Sequence, residues 1–396
     1  MNTIRMNTSK ALAAVLVLGL NLWPGLPGPL AGALAAPVEF AAVTPGKPLQ
    51  FPADFGAHPD FRTEWWYATG WLKLPDGTPI GFQVTFFRSR TEHAPENPSK
   101  FAPKQLIIAH AAISDPRTGK LLHDQKSGRE GWGLAYARTG NTDVRVDDWS
   151  FVRQDDGQYQ ALIKGREFSF ALKLAPTQSV MLQGEQGYSR KGPQTAQASY
   201  YYSKPQLRVT GTLTRAGQAV SVSGDAWLDH EWSSTVLDER AAGWDWVGAN
   251  LDDGSALMMF RIRGKNEGKS GDKNGGKNRP KGAGKNGPKD GEQIWAHAVL
   301  RDAAGRVTRF DPGQVSFTPL RNWRSPRTGA SYPVSAVFRT GDTEWRLNPL
   351  QDDQELDSRA STGSVYWEGA VTIEKNGKPA GHGYLELTGY EKAMKL

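Results

Sequence analysis

The sequence predicts an all-β fold, and three observations lead to this prediction. Apolar side chains recur at every second position along many short segments, as in strands with one buried face. Beyond the N-terminal leader, no window of ten or more residues has the 3.6-residue apolar repeat of an amphipathic helix. The 396 residues include 44 glycines and 25 prolines, which favours a chain with many turns over a helical bundle.

The first residues of the chain have the features of a secretory signal peptide. Arg5 and Lys10 precede an apolar run at 11–22, and a small-residue cleavage motif, Ala-Leu-Ala, follows at 33–35. Prolines interrupt the apolar character before it reaches the roughly 20 residues that a membrane span needs. We therefore expect residues 1–35 to be a signal peptide. The protein would be exported across the inner membrane into a bacterial periplasm and would not be an integral membrane protein.

After a proline-containing lead-in at 36–50, the apolar residues repeat with a period of two. In Ile80–Arg88, four apolar side chains occupy every second position and share one face of a strand. Turn signals such as Pro-Asp-Gly at 75–77 separate the strand-like segments. The other segments with strand character are Leu106–Ile113, Tyr159–Lys164, Glu167–Leu174, Gln206–Thr214, Val220–Leu228, Trp244–Asn250, Ala256–Arg263, Ile294–Asp302 and Val371–Ile373.

One internal stretch, residues 264–293, consists mainly of glycine, lysine and asparagine and is predicted to be disordered. It lies between two strand-like segments, so we interpret it as an enlarged hairpin loop. A basic arm that touches anionic lipid or an acidic polymer is the alternative. Most of the net charge of +7 comes from this stretch and from the leader. The folded part is nearly neutral, and we expect no nucleic-acid partner.

Several common enzyme classes lack their signatures. The chain has no cysteine, which excludes disulfides, thiolate metal sites and cysteine nucleophiles. It also has no Gly-x-Ser-x-Gly elbow and no His-Glu-x-x-His motif, and its seven histidines are not paired at ligand spacing. A serine or metal-dependent hydrolase is therefore poorly supported, and we expect neither a metal nor an organic cofactor.

The first cluster of chemically interesting residues lies at 58–67. Its glutamate, Glu64, is a candidate catalytic acid, and the adjacent Trp65, Trp66 and Tyr67 are candidate walls of a ligand pocket. The alternative is structural: the aromatic side chains close a barrel core, and Arg62 forms an ion pair with Glu64 at a strand end.

The second cluster comprises residues 227–232 and 244–246. In an extended segment, His230 and Trp232 share one face, while Asp229 and Glu231 share the other. A histidine between aromatic walls is a candidate proton carrier. We therefore predict His230 and Asp245 as catalytic residues and Trp232, Trp244 and Trp246 as ligand-binding residues. A histidine hydrogen-bonded to a neighbouring carbonyl is the alternative.

The third cluster lies near the C-terminus, at 366–369 and 383–390. Tyr384, Glu386 and Tyr390 have the same parity, so a strand would place a carboxyl group beside two phenols. Such a carboxyl group is either a structural hydrogen-bond acceptor or an acid with a shifted pKa. Tyr384 is a candidate ligand-binding residue.

These clusters resemble the motifs of the AttH-like proteins, often called predicted secreted hydrolases, which are related to the carotenoid 1,2-hydratase, hydroxyneurosporene synthase. The resemblance extends from about Phe51 to Tyr390. The matching segments are Gly-Ala-His-Pro-Asp at 56–60, Arg-Thr-Glu-Trp-Trp-Tyr at 62–67, Tyr-Tyr-Tyr-Ser-Lys-Pro at 200–205, Asp-His-Glu-Trp-Ser-Ser at 229–234 and Tyr-Leu-Glu-Leu-Thr-Gly-Tyr at 384–390.

The resemblance implies two tandem lipocalin-like antiparallel β-barrels, at 51–225 and 226–396, with a ligand pocket near their contact. In the hydratase branch, a His and a Trp at the positions of His230 and Trp232 are implicated in catalysis, with a Tyr and an Asp on a following strand. The corresponding strand here reads Ala-Leu-Met-Met-Phe at 256–260 and holds neither, which argues against carotenoid hydration itself.

Two functions remain open at the level of the sequence. The first is a lipocalin-like protein that binds an isoprenoid or another lipid and acts on it as a cofactor-free hydratase or isomerase. The second is a non-catalytic periplasmic carrier that passes such a ligand to an inner-membrane transporter. The density of His, Glu and Trp favours the enzyme, whereas the missing Tyr and Asp favour the carrier.

Overall fold

The computed structural model describes residues 38–94, 96–265 and 291–394, in which nearly all regular structure is strand. The helices in these ranges are two single 3-10 turns, Ala53–Phe55 and Pro312–Gln314. None of the described helices is long and apolar enough to cross a membrane. The predicted signal peptide lies outside the described residues.

Two antiparallel sheets follow each other along the chain. The first contains β1 Thr63–Lys73, β2 Pro79–Arg90, β3 Gln105–Ser114, β4 Leu121–Arg129, β5 Ala135–Ala137, β6 Asp143–Val146, β7 Trp149–Arg153, β8 Tyr159–Lys164, β9 Phe168–Ala175, β10 Met181–Leu182, β11 Tyr188–Arg190, β12 Ala198–Arg215 and β13 Gln218–Thr235. The second contains β14 Ala241–Leu251, β15 Ala256–Gly264, β16 Gln293–Arg301, β17 Val307–Phe310, β18 Val315–Arg324, β19 Ser331–Thr340, β20 Thr343–Pro349, β21 Glu355–Asp357, β22 Val365–Lys375 and β23 Lys378–Leu387.

Both sheets curl until their ends meet. The first has the order β4-β3-β2-β1-β13-β12-β9-β8-β7-β6-β5, and β4 contacts β5 and β6 through side chains without a hydrogen-bonded ladder in the described residues. The second has the order β17-β16-β15-β14-β23-β22-β20-β19-β18. There the guanidinium of Arg261 on β15 lies 4.0 Å from the ring centroid of Phe317 on β18. The prediction of an all-β fold with two tandem antiparallel barrels is confirmed.

The alternating apolar residues fill the two barrel interiors. Phe82 and Val84 of β2 point into the first barrel, where they belong to one apolar cluster with Leu172 of β9. Val247 of β14 and Leu385 of β23 belong to the equivalent cluster in the second barrel. The apolar residues that recur at every second position are thus the residues on the inward face of each strand.

The boundary between the barrels differs from the predicted position between residues 225 and 226. The strand β13 continues across that position to Thr235, and the second sheet begins at Ala241. The cause is the hairpin of β12 and β13, whose strands are each 18 residues long. Its second half carries the Asp-His-Glu-Trp motif, which therefore belongs to the first sheet.

The barrels contact each other through the outer faces of their central strands. Trp71 of β1 donates a hydrogen bond from Nε1 to the carbonyl oxygen of Gly383 on β23, at 3.0 Å. Gly81 of β2 allows a close approach: a Cβ there would lie 2.7 Å from both Ala370 Cβ and Tyr384 Oη. Aromatic residues from both sheets form one buried cluster in this contact.

The strands on either side of the glycine- and lysine-rich stretch are neighbours. β15 and β16 pair antiparallel from Ala256 opposite Arg301 to Arg263 opposite Gln293, as the hairpin interpretation requires. Most of the predicted disordered insert at 264–293 lies outside the described residues.

Candidate functional site

The strand period separates the predicted site residues into two groups. On β1 and β13, Trp66 lies opposite His230, and Tyr67 lies opposite Asp229. Trp66 and His230 point into the first barrel, whereas Tyr67 and Asp229 point outwards to the second barrel. The predicted division of His230 and Asp229 between two faces is confirmed, and it places them in different sites.

The inward group is organised around one buried carboxylate, Glu64. Its Oε1 accepts hydrogen bonds from His58 Nδ1 at 2.7 Å and from His230 Nε2 at 2.9 Å. Its Oε2 accepts one from Arg88 Nε at 2.7 Å. The second ring nitrogen of His58 lies 3.1 Å from Asp54 Oδ1. We call these five residues the histidine cluster.

The hydrogen bonds fix the protonation of the histidine cluster. Both nitrogens of His58 face carboxylates, so this ring is an imidazolium; although burial opposes the charge, Asp54 and Glu64 raise its pKa. Burial lowers the pKa of His230, and the neutral ring accepts from Tyr202 Oη at 3.0 Å through Nδ1. Burial also opposes the charge of Glu64, but its hydrogen bonds and nearby cations hold its pKa well below the ordinary value.

This cluster is better suited to hold the barrel together than to exchange protons. Its two carboxylates balance the cations His58 and Arg88. The nitrogen and oxygen atoms of His58, Glu64 and His230 lie within 4.8 Å of one another, close enough for a metal ion. However, they already bond to one another, and a divalent cation would add charge beside the buried Arg88. The donor set therefore does not fit a metal ion well.

Two predicted pocket residues pack against this cluster. The ring of Trp66 stacks on His230 at 4.6 Å, and the ring of Trp232 stacks on His58 at 3.7 Å. Both indoles are about 1% exposed. The alternative ion pair between Arg62 and Glu64 does not form, because Arg88 occupies the carboxylate.

Asp245 lies apart from His230, inside the second barrel. Its carboxylate accepts hydrogen bonds from Arg263 Nε at 3.1 Å and from Tyr390 Oη at 2.9 Å, and it is also paired with Arg261. Tyr390 follows the end of β23 and does not share the outward face of Glu386, so its predicted placement beside that carboxyl group is wrong. A buried carboxylate paired with two arginines and a phenol has a structural role in the second barrel.

The outward group contains three carboxyl groups in the contact between the barrels. Asp229 comes from β13, Glu368 from β22 and Glu386 from β23, and the last two lie directly opposite each other across their strands. We call these three residues the carboxyl cluster. Because their surroundings are aromatic and the acids repel one another, ionisation is unfavourable.

Each acid of the carboxyl cluster has a raised pKa. Burial raises the pKa of Asp229 to about 7, although Tyr201 Oη at 2.5 Å and Trp227 Nε1 at 2.6 Å donate to it. Burial, with Asp229 nearby, likewise raises the pKa of Glu386 to about 7. Burial and the charge of Glu386 raise the pKa of Glu368 well above its ordinary value. At neutral pH the cluster therefore retains protons that ordinary carboxyl groups have lost.

Three buried polar atoms in this contact make no hydrogen bond of good geometry in the described ranges: Tyr67 Oη, Tyr384 Oη and Glu368 Oε1. Tyr67 Oη nevertheless lies close enough to the Glu368 carboxyl group, and Tyr384 Oη to Ser114, to interact weakly. Burial, together with the neighbouring acid Glu368, raises the pKa of both phenols well above the ordinary value. The phenols thus remain protonated and can donate. Such unsatisfied groups are costly in a folded protein unless water or a ligand meets them.

A chain of hydrogen bonds leads away from the carboxyl cluster. Tyr366, next to Glu368, contacts His110 Nδ1 at 2.8 Å, and His110 Nε2 contacts Ser361 Oγ at 2.9 Å. Ser361 donates to Gln125 at 2.5 Å, so it accepts from His110, and Tyr366 donates to His110. Burial lowers the pKa of His110 to about 3 and keeps the ring neutral. The chain ends at the half-buried Ser361 and Gln125.

Four of the predicted ligand-binding residues meet at the carboxyl cluster. Trp246 Nε1 donates to Tyr201 Oη at 3.1 Å, and Trp244 Nε1 donates to Glu386 Oε2 at 2.9 Å. Tyr67 and Tyr384 supply the two phenols that lack a well-formed hydrogen bond. Trp65 is half-buried against the same aromatic cluster.

Sequence reasoning missed several members of this second site. Glu368 and Glu386 lie in the third sequence cluster but are not among the predicted site residues, although the parity of Glu386 with Tyr384 indicates a shared face. Nothing in the sequence indicated His110, whose partner Tyr366 lies 256 positions away.

The fold and this site define a class: a two-barrel β protein with protonated carboxyl groups between its barrels. A model of the AttH-like family matches residues 42–288 and 285–390, and the chain belongs to that family. It is similar to the crystal structure of a Nitrosomonas europaea protein assigned to AttH, with 58% identity over 89% of this chain and 99% of that chain and a TM-score of 0.79.

A more distant structure has the same fold. Kievitone hydratase from Nectria haematococca is 13% identical over 89% of this chain and 96% of that chain, with a TM-score of 0.63. The lipocalin-like two-barrel architecture is thus common to both. No curated protein matches the sequence.

Proposed function

We propose that this protein is a cofactor-free acid–base enzyme, a hydratase or isomerase, that acts on an uncharged and largely apolar alkene at the carboxyl cluster. The observation that supports it is the set of three buried carboxyl groups with raised pKa values beside two phenols that lack a well-formed hydrogen bond and several indoles. A carboxylic acid kept neutral at neutral pH can donate a proton to a weakly basic carbon. Kievitone hydratase, with the same fold, carries a hydratase name.

In the proposed hydration, Glu368 is the acid. Its proton and the two π electrons of the alkene form a new C–H bond, which leaves a carbocation on the second carbon. A water molecule forms the C–O bond, and Asp229 or Glu386, when ionised, takes its extra proton. In an isomerisation, the same base removes a proton from the neighbouring carbon, and no oxygen enters.

The surroundings of the acids support this chemistry. The indole faces of Trp244 and Trp246 would stabilise a carbocation by about 0.5–2 kcal/mol each. The Tyr366–His110–Ser361 chain leads from beside Glu368 towards the surface; it donates outwards as observed, so each of its hydrogen bonds would have to reverse before it returned a proton to Glu368. Tyr67 and Tyr384 would orient an oxygen function of the substrate as hydrogen-bond donors. No metal ion or organic cofactor is required.

We propose that residues 1–35 direct the protein to the periplasm, where an isoprenoid or another lipid is its hydrophobic ligand. The alternative function is a carrier that delivers this ligand to an inner-membrane transporter.

The test incubates the purified protein with a lipid extract of its host in ¹⁸O-labelled heavy water, followed by mass spectrometry of the organic phase. We expect ¹⁸O and deuterium in a product of a hydratase, or deuterium alone in a product of an isomerase. Glu368→Gln should abolish the incorporation of ¹⁸O and deuterium into the product. Glu374→Gln, on the same strand but outside the cluster, is the matched control.

His230→Gln distinguishes the two sites. If the histidine cluster is structural, this variant loses stability, and the residual folded protein keeps its turnover. A lipid that binds but never acquires label with the wild-type protein would contradict the enzyme and favour the carrier.

A further inference from the structure

Two exposed aromatic side chains, Phe101 and Trp132, lie close together in the loops that follow β2 and β4, and the exposed Leu134 comes two residues after Trp132. Phe101, Leu134 and Trp132 are 67%, 64% and 57% exposed, more than any other large apolar side chain in the described residues. The rings of Phe101 and Trp132 lie 5.6 Å apart although 31 positions separate them. We call these three residues the aromatic patch. Apolar groups gathered on a surface mark an interaction site more often than scattered ones do.

The backbone around Trp132 holds the indole outwards at a cost. Trp132 has a φ of 51°, in the left-handed region that a bulky residue rarely adopts. Gly131 and Gly133 on either side also have positive φ values. Because the indole is mostly exposed, its burial contributes little free energy to offset this backbone strain. Strained residues cluster at ligand clamps and other functional sites, which makes Trp132 a candidate contact residue.

Basic residues surround the aromatic patch. The guanidinium of Arg129 lies 5.0 Å from the ring centroid of Phe101 and 4.7 Å from that of Trp132. A groove of about 340 Å³ adjoins the patch, and its lining includes Trp132, Lys100, Lys104 and a single carboxyl group, Glu130. The local surface thus combines exposed rings with an excess of positive charge.

We propose that the aromatic patch docks the protein on an anionic lipid bilayer. Aromatic rings favour the level of the lipid headgroups, and basic side chains beside them are attracted to anionic headgroups. This surface is distinct from the carboxyl cluster, so the proposal does not depend on any turnover there. A protein whose ligand is a lipid would meet it at such a surface.

The test is flotation of the purified mature protein with vesicles of phosphatidylcholine alone or with 30% phosphatidylglycerol (about one charge in three lipids) at low and high salt. We expect binding to the anionic vesicles, weakened by salt. The double variant Phe101→Ser, Trp132→Ser should lose at least tenfold in affinity. Arg129→Gln should weaken the dependence of binding on salt, to which Lys100 and Lys104 still contribute. Leu320→Ser, a 46% exposed residue on β18, is the control and should bind normally.

Two outcomes would overturn the proposal. One is wild-type protein that fails to bind anionic vesicles or binds as well after the double substitution. The other is self-association in solution that depends on Trp132 without any vesicle binding, which would assign the patch to a second copy of the chain. Thermal unfolding of each variant confirms that its fold is intact.

Discussion

Glu64 connects three parts of the chain that are distant in sequence. Through His58 it holds the segment before β1, through Arg88 it holds β2, and through His230 it holds β13. A carboxylate that is fully buried and paired in this way contributes little net stability beyond an apolar substitute, but removing it leaves its partners unpaired. The contribution of Glu64 to stability is therefore best measured by substituting the residue.

We expect Glu64→Gln to lower the free energy of unfolding by about 3 kcal/mol, because the amide leaves the buried Arg88 without a counter-charge. Urea denaturation followed by tryptophan fluorescence measures the change. Glu92→Gln, at an exposed carboxylate 3.9 Å from Arg62, should change stability by less than about 0.5 kcal/mol. An equally small effect of Glu64→Gln would show that the histidine cluster does not stabilise the fold.

The carboxyl cluster predicts a dependence of stability on pH. Asp229 and Glu386 have pKa values of about 7 in the folded protein and about 4 when unfolded. Between these values the folded state binds more protons, so their contribution to stability falls as pH rises from about 4 to 7. Glu386→Gln should reduce the decline of the melting temperature over this range, whereas Glu374→Gln should leave it unchanged. A wild-type slope retained in Glu386→Gln would disprove the raised pKa.

At the scale of the strand, alternation was the informative signal. The predicted segment Ile80–Arg88 lies inside β2, and Tyr159–Lys164 coincides with β8. The strands β18 to β20 were not predicted. β18 shows why, since most of its ten residues are exposed and its sequence lacks a continuous apolar face. Strands at the edge of a sheet have weaker patterns because less of each residue is buried.

Strand parity also predicted part of each site but not their composition. It separated His230 from Asp229 and placed Tyr384 beside Glu386, because these relations depend only on the period of two. The approach of Glu368 to Tyr67 depends on how two barrels pack, and about 300 residues separate them. Local patterns carry no information on such contacts.

The two barrels share one aromatic contact, so we expect them to unfold together. Trp246 of the second barrel packs 5.2 Å from Tyr67 and 6.5 Å from Trp227 of the first barrel. Trp246→Ala should destabilise the protein by about 3–5 kcal/mol and shift a single calorimetric transition. Leu320→Ala, outside the contact, should shift it little. Two resolved transitions in the wild type would indicate barrels that are stable independently.

The side-chain closure of the first barrel has a mechanical consequence. Parting β4 from β5 and β6 separates packed groups such as Gly128 and Ala135 and the ion pair of Lys126 with Asp147, but it breaks no ladder of hydrogen bonds. Separating two strands that are hydrogen-bonded neighbours, such as β1 and β13, would break the whole ladder of hydrogen bonds between them. The wall of the first barrel is thus weakest where β4 meets β5 and β6, and mechanical separation of its strands would begin there.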